Sequence, residues 1–346
     1  VNAFLKEEKQ MVSMKFRTRS IAAGIAVLAL GLAACSGSGD SGDGETAASG
    51  GDGGGDAISV GFSQVGAESG WRAANTKSIQ DALTAENGFD LSFSDAQQKQ
   101  ENQIQAIRSY IAQGVDYIAF SPVVESGWDS VLEEAKDAGI PVILTDRAVD
   151  SEDTSLYVTF IGSDFVEEGK RIGDWVSENL GTEPINVVEL QGTTGSAPAI
   201  DRKTGFEDAI AGNDNISVIA SETGNFTRAE GKTVMEGFLQ AYPDIDVVYA
   251  HNDDMGLGAI EAIEAAGKVP GKDIKVVTID GVKDGMTALS EGKISYIVEC
   301  NPLLGPDLAE IIKTLDEGGT VEPRIVTKDE AFDQEGAKAV LADRQY

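Results

Sequence analysis

The chain has 346 residues, with 58 Asp and Glu against 27 Lys and Arg, a formal net charge of −31 at pH 7. So acidic a chain repels nucleic-acid phosphates and broad anionic membrane surfaces, which excludes both as partners of the folded part. The one His, His251, is embedded in a strand-end string, which argues against a Ser–His triad, and one His with two Cys supplies neither a His metal cluster nor a zinc site, so no metal and no cofactor are expected.

In chain order, the first element is a short basic stretch, Met14-Lys15-Phe16-Arg17-Thr18-Arg19, followed by an apolar, Ala-rich run over 21–30. That run is too short for a comfortable membrane span and has the layout of a secretion signal. It ends in Leu32-Ala33-Ala34-Cys35, which resembles a bacterial lipobox. The resemblance implies removal of 1–34 and a diacylglycerol on Cys35. Residues 35–57 then read as the lipidated Cys and a flexible tether, because 36–56 are almost entirely Gly, Ser, Asp, Ala and Thr and have no apolar surface to bury. No strand precedes these Gly runs and no Gly-Lys-Ser/Thr follows them, so they are not a phosphate loop. With Cys35 lipidated, Cys300 stands alone and no structural disulfide is expected.

From Ile58 onward, short β-branched runs alternate with amphipathic stretches of helix length. Strands are predicted at 58–62, 91–93, 117–120, 141–145 and 157–161, with helices near 71–86, 98–113 and 126–138. The pattern then repeats, with helices near 165–179, 199–211, 228–241, 255–266 and 303–315 and strands at 185–190, 216–220, 247–250, 274–279, 294–298 and 324–326. Unbroken apolar strands between helices predict parallel sheets covered on both faces. The fold class is therefore α/β, as two similar doubly wound parallel-sheet lobes joined by a hinge. The first lobe is expected to comprise 58–162 and 301–323, and the second 163–300 and 324–346. The chain should cross between them near 161–164, near 300–301 and just before Arg324. Gly114, Gly139, Gly181 and Gly267 follow helices, where a left-handed cap is expected.

Ligands of open α/β sheets sit beyond the carboxyl ends of the strands. In the first lobe those ends carry Ser63, Gln64, Ser121, Asp146 and Arg147. In the second they carry Gln191, Thr193, Asn225, the string His251-Asn252-Asp253-Asp254, and Asp280. Trp71 and Phe226 add aromatic faces from opposite lobes. Carboxylates accept hydrogen bonds, Arg donates in a fixed fork and amides do both, a mixture suited to a polyhydroxylated ligand. Two carboxylates across a cleft could also serve a glycosidase. Here each acid has a cation beside or opposite it, which lowers its pKa and opposes a general-acid role. No catalytic residue is nominated, and the chain is not expected to be an enzyme.

Several strings carry a family resemblance: Glu68-Ser69-Gly70-Trp71-Arg72, Gln97-Gln98-Lys99-Gln100-Glu101-Asn102-Gln103, Asp146-Arg147, Asp201-Arg202-Lys203, Asn225-Phe226-Thr227-Arg228 and Tyr249-Ala250-His251-Asn252-Asp253-Asp254-Met255. Over about 58–345 the chain resembles the type I periplasmic sugar-binding proteins of ribose, galactose and galactofuranose ABC importers, and most of all the galactofuranose branch. Ribose-type members usually have an aromatic residue where Arg72 stands here. The resemblance implies that Trp71 stacks on the sugar and Phe226 closes the opposite face. It implies that Glu68, Arg72, Asp146 and Arg147 bond sugar hydroxyls from the first lobe, and Arg202, Asn252 and Asp280 from the second. Ser63, Ser121 and Glu299 are further candidates. Of the Gln-rich run, only Gln97 and Gln98 are placed to reach the cleft. The implied partners are a monosaccharide, ABC permease subunits, and the outer face of the bacterial cell membrane through the lipid anchor alone, for a monomer. The sugar expected first is galactofuranose, then galactose, arabinose or ribose. A sugar-sensing lipoprotein feeding a membrane sensor kinase is the alternative, because its site would look the same.

Overall fold

In the computed structural model, which describes residues 57–180 and 182–346, the apolar runs form strands and the stretches between them form helices. The expected signal, lipobox and tether, and the cap expected at Gly181, lie outside the described residues. The first lobe begins β1 (Ile58–Gln64), α1 (Gly70–Ala82), β2 (Phe89–Asp95), α2 (Gln100–Gln113), β3 (Tyr117–Phe120), α3 (Asp129–Asp137), β4 (Val142–Thr145) and β5 (Thr159–Gly162). The second follows as α4 (Phe165–Asn179), β6 (Ile185–Gln191), α5 (Ala197–Ile210), β7 (Ile216–Thr223), α6 (Arg228–Ala241), β8 (Val247–Ala250), α7 (Asp253–Ala265), β9 (Lys275–Asp280), α8 (Lys283–Ser290) and β10 (Tyr296–Glu299). The chain then supplies α9 (Gly305–Asp316), β11 (Arg324–Val326), β12 (Ala331–Phe332) and α10 (Gln334–Val340).

The described strands form two six-stranded sheets of the same design, ordered β2-β1-β3-β4-β5-β11 and β7-β6-β8-β9-β10-β12. Every pairing is parallel except that of β12 with β10. Strands β3, β4, β5 and β8 are buried at each position, as strands covered by helices on both faces must be. In the first lobe Ile107, Phe120, Trp128 and Leu132 fill one face of the sheet, and Val60, Phe62, Ile79, Leu308 and Ile312 the other. Each such side chain contributes about 1.5–3 kcal/mol by leaving water. Among the described residues, no helix is long and apolar enough to cross a membrane.

Strand β11 corrects the expected boundary. Arg324–Val326 pairs in register with Phe160–Gly162, so it belongs to the first sheet, and the third crossing follows it at 327–330. Helix α9 packs on α1, with the Gly305 amide accepted by Ser78 Oγ at 3.0 Å, which leaves β5 as the edge the returning chain meets. The helix expected over 71–86 stops at Ala82, and Thr84 caps a separate turn. Gln97 and Gln98 adopt left-handed φ of 54° and 58°, so α2 starts only at Gln100. The elements α8, β12 and α10 were not expected. Gly114, Gly139 and Gly267 take the left-handed conformation foreseen for them, with φ of 69°, 74° and 75°.

Candidate functional site

The carboxyl ends of both sheets meet at one narrow cavity. From the first lobe, Glu68, Ser69, Trp71 and Arg72 enter it at the start of α1, and Asp146 and Arg147 after β4. From the second come Pro198 and Arg202 on α5, Phe226 before α6, Asn252 before α7, Asp280 at the end of β9, and Cys300 past β10.

Each lobe buries guanidinium groups among acids, Arg72 and Arg147 in the first and Arg202 in the second. Arg72 donates from Nη2 to Asp146 Oδ2 at 2.7 Å, from Nε to Glu68 Oε1 at 3.0 Å and from Nη1 to Gln64 Oε1 at 3.1 Å. Burial alone would lower its pKa, but Asp146 and Glu68 outweigh that and hold it above the ordinary value. In the second lobe Arg202 donates from Nε to Glu168 Oε2 at 2.7 Å and from Nη1 to the His251 carbonyl at 2.5 Å, with Asp280 Oδ1 3.8 Å from Nη2. Arg202 is held at this depth by the close approach of α4 and α5: a Cβ on Gly169 would stand 2.1 Å from the Arg202 carbonyl oxygen. Arg147 lies between these two hubs. Burial and the nearby Arg72 push it down to about 10, against the pull of Asp146 and Glu68.

The two aromatic residues do different work. Trp71 donates from Nε1 to the Cys300 carbonyl at 2.6 Å, which ties α1 to the second crossing. Phe226 sits at φ 63°, and the guanidinium of Arg147 lies 5.2 Å from its ring across the cleft. A Cβ at residue 192 would come within 1.9 Å of the Phe226 ring, so Gly192 makes its room. Asn252 caps α7, accepting from the Met255 amide at 2.9 Å, and its Nδ2 donates to the Phe226 carbonyl at 3.1 Å. It is thus both a helix cap and a wall of the cavity.

The acids of the second lobe depart from expectation. A neighbouring cation was expected to lower their pKa, yet burial pushes Asp280 well up, opposed by Arg202 and aided by Asp253 and Glu168. Burial likewise pushes Glu168 up to about 7 against Arg202, with Asp329 adding to the rise.

Of the expected ligand residues, nine line the cavity and Ser63, Ser121 and Glu299 do not. Ser121 stands behind it, with Oγ donating to Asp146 Oδ2 at 3.0 Å and accepting from Arg72 Nη1 at 3.3 Å. Ser63 is fully buried within β1. Glu299 is turned away because Arg344 Nη1 and the Tyr346 hydroxyl, each at 2.6 Å, occupy its carboxylate. Its neighbour Cys300 lines the cavity instead, and the strand-end rule applied to β10 would have found it, since Cys300 is the first residue past that strand. Gln97 and Gln98 are exposed and do not line the cavity. His251 is fully buried with Nε2 2.9 Å from Glu189 Oε1, and burial lowers its pKa. Glu168, which holds Arg202, carries no sequence signal, since it reads as one more acid on a helix.

The periplasmic binding protein domain matches residues 60–317. The galactofuranose-binding protein YtfQ of Escherichia coli is 49% identical over 292 residues, covering 83% of this chain and 92% of that one. A Mycobacterium smegmatis protein solved in complex with β-D-fucofuranose is 62% identical, with a TM-score of 0.82 over 84% of this chain and 96% of that one. The binding component of the arabinose ABC transporter of Shewanella sp. ANA-3, solved with α- and β-L-arabinofuranose, is 47% identical, with a TM-score of 0.79 over 83% and 95% of the two chains.

Proposed function

The chain belongs to the periplasmic binding protein family, and we propose that it is the sugar-capturing lipoprotein of an ABC importer, closing its lobes around a monosaccharide in the furanose ring form. It is a binding protein and not an enzyme, as its family is. One observation supports the ligand class above others. Among the cavity-lining residues, Glu68 Oε2 and Arg147 Nε from the first lobe and Asp280 Oδ2 from the second are buried without a hydrogen-bond partner among the described residues. Leaving such a group unmet costs about 1–3 kcal/mol. An anion would serve the guanidinium alone and a cation the carboxylates alone. Hydroxyls on one small ring donate to the carboxylates and accept from the guanidinium.

The furanose preference rests on the sugars named for the similar proteins: galactofuranose, fucofuranose and arabinofuranose. A galactofuranose-like sugar ranks first, then galactose, arabinose or ribose. Closure draws support from bonds that bridge the lobes, the Gly70 amide to Asp254 Oδ2 at 2.7 Å and the Glu125 amide to the Gly195 carbonyl at 2.9 Å. The hinge would be the three crossings. Cleavage before Cys35 and its lipidation would place the protein on the outer face of the membrane.

A thermal-shift panel of D-galactose, D-fucose, L-arabinose, D-ribose and D-fructose tests the reading. A ligand at a hundred times its Kd stabilises the native state by about 2.7 kcal/mol, so a binder raises the melting temperature by several degrees. A panel with no shift at millimolar sugar would sink the assignment. Labelling with a radioactive fatty acid, lost in Cys35→Ala, tests the anchor. Permease and ATPase genes beside this one favour import, whereas a sensor kinase gene favours sensing.

A further inference from the structure

Asp280 ends β9 at φ 125°, a conformation that residues other than glycine resist. Such a backbone persists only where its surroundings over-determine it. Two side chains outside the cavity do so here. Asp253 Oδ2 accepts from the amides of Gly281 and Val282, each at 2.8 Å, and so grips the turn by its N–H groups. Arg344 Nε donates to the Gly281 carbonyl at 2.6 Å and grips the same turn from its other side.

Arg344 is itself fixed. Its Nη1 pairs with Glu299 Oε1 at 2.6 Å, and its guanidinium lies 5.4 Å from the Phe332 ring and 4.2 Å from the Tyr346 ring. The Tyr346 hydroxyl donates to the same Glu299 oxygen at 2.6 Å. Glu299 is the residue of β10 in register with Asp280 on β9. The brace therefore spans two neighbouring strand ends and the turn between β9 and α8.

We propose that Arg344 is a positioning residue for the ligand: with Glu299 and Tyr346 it locks the strained turn after β9, so that Asp280 Oδ2 stays aimed into the cavity. This rests on the reading above, in which Asp280 receives a sugar hydroxyl. Glu299 thereby acts on the sugar through the backbone and not by touching it. A role confined to fastening the 341–346 segment would leave any effect of Arg344 on affinity independent of Asp280.

The test is titration calorimetry with D-galactose, D-fucose and L-arabinose on the full chain and on Asp280→Ala, Arg344→Ala, Arg344→Lys and the Asp280→Ala/Arg344→Ala double variant. Expected is a rise in Kd of about tenfold for Arg344→Ala, roughly one hydrogen bond's worth of ligand orientation. Arg344→Lys should fall between, since one ammonium cannot reach both Gly281 and Glu299, and it carries the test if the alanine variant does not fold. The double variant should bind no worse than Asp280→Ala alone, because Arg344 acts through Asp280. Wild-type affinity in Arg344→Ala or Arg344→Lys, or losses that simply add in the double variant, overturns the proposal while the sugar reading stands. Failure of all three sugars to bind the wild-type chain, or wild-type affinity in Asp280→Ala, overturns that reading and the proposal with it.

Discussion

Replacing Asp254 by Ala should loosen sugar binding without touching the sugar. Its carboxylate leads α7 in the second lobe, yet Oδ2 accepts from the amide of Gly70, the first residue of α1 in the first lobe, at 2.7 Å. That amide is one of the free donors at a helix start, where the helix dipole also favours a negative charge. The carboxylate is held for the task by Arg228 Nε at 3.2 Å, whose Nη2 pairs with Asp284 at 3.0 Å. A hydrogen bond to a charged acceptor contributes about 1.5–3 kcal/mol. The bond bridges the lobes, so it stabilises the closed form and not an open one, in which water meets the amide. The loss passes into the closing equilibrium and raises Kd by about tenfold to a hundredfold. It should appear in the dissociation rate, as most affinity changes do. Stopped-flow tryptophan fluorescence reads both rates, since the Trp71 indole is bonded to the Cys300 carbonyl at the second crossing. Asp254→Asn keeps an acceptor without the charge and should lose about half as much free energy. The ranking of sugars should stay fixed, because Asp254 does not line the cavity. An unchanged Kd, or a changed sugar ranking, would refute the latch.

Trp71→Phe keeps an aromatic face but strands the Cys300 carbonyl, and calorimetry should show binding weakened by about fivefold to thirtyfold; wild-type affinity would take the indole out of the site. Gly192→Ala should drive the Phe226 ring from its place, weakening binding about tenfold or more, and a variant structure with Phe226 unmoved would refute it. Glu168 binds its proton more tightly folded than unfolded, so between its ordinary value of 4.5 and about 7 the folded state holds more protons and stability falls as pH rises. Urea titrations across that window should lose about 3 kcal/mol less in Glu168→Gln than in wild type, though Asp253, also pushed up to about 7, keeps part of the slope in both. An identical slope in the two proteins would contradict the buried acid. D-Galacturonate should bind at least about a hundredfold more weakly than D-galactose, because Arg72 and Arg202 already donate to Asp146 and Glu168 and the open Arg147 is flanked by the carboxylates of Glu68 and Asp146; equal affinity would refute the neutral-ligand reading.

Much of the fold was legible because burial on both faces of a parallel sheet leaves an unmistakable mark. Runs such as Tyr117–Phe120 and Val142–Thr145 are buried throughout and almost wholly apolar, and have only one stable use between amphipathic helices. What escaped was governed by long-range partners. The segment Arg324–Val326 is exposed or half-exposed along its length, and its place in the first sheet depends on where α9 delivers it against β5. Its composition suits either sheet. The short helices α8 and α10 pack mostly on each other and on the second-lobe core through a few residues, Met286, Leu289 and Ala337 among them, too few for a periodic signal to rise above the surrounding polar chain.

The site was legible by position and illegible by direction. The rule that ligands gather at strand ends points to Asp146, Arg147, Asn252 and Asp280, all of which line the cavity, because it needs only the end of each apolar run. It does not say which of two adjacent residues faces inward, and neither does the resemblance that suggests Glu299, where Cys300 lines the cavity. Direction at these ends is set by backbone that leaves the regular strand: Asp146, Phe226 and Asp280 all have positive φ, at 62°, 63° and 125°. Such conformations are stabilised from elsewhere in the fold, by Asp253 and Arg344 for the turn after Asp280 and by Asn252 for Phe226. The same holds for charge. A sequence shows Arg202 beside Asp201, but the acid that matters to it is Glu168, thirty-four residues earlier on α4 and buried with it. Pairing of that kind offsets the cost of burying an ion only when both partners are fixed. The residues that fix a binding site are therefore the ones least visible in its local sequence.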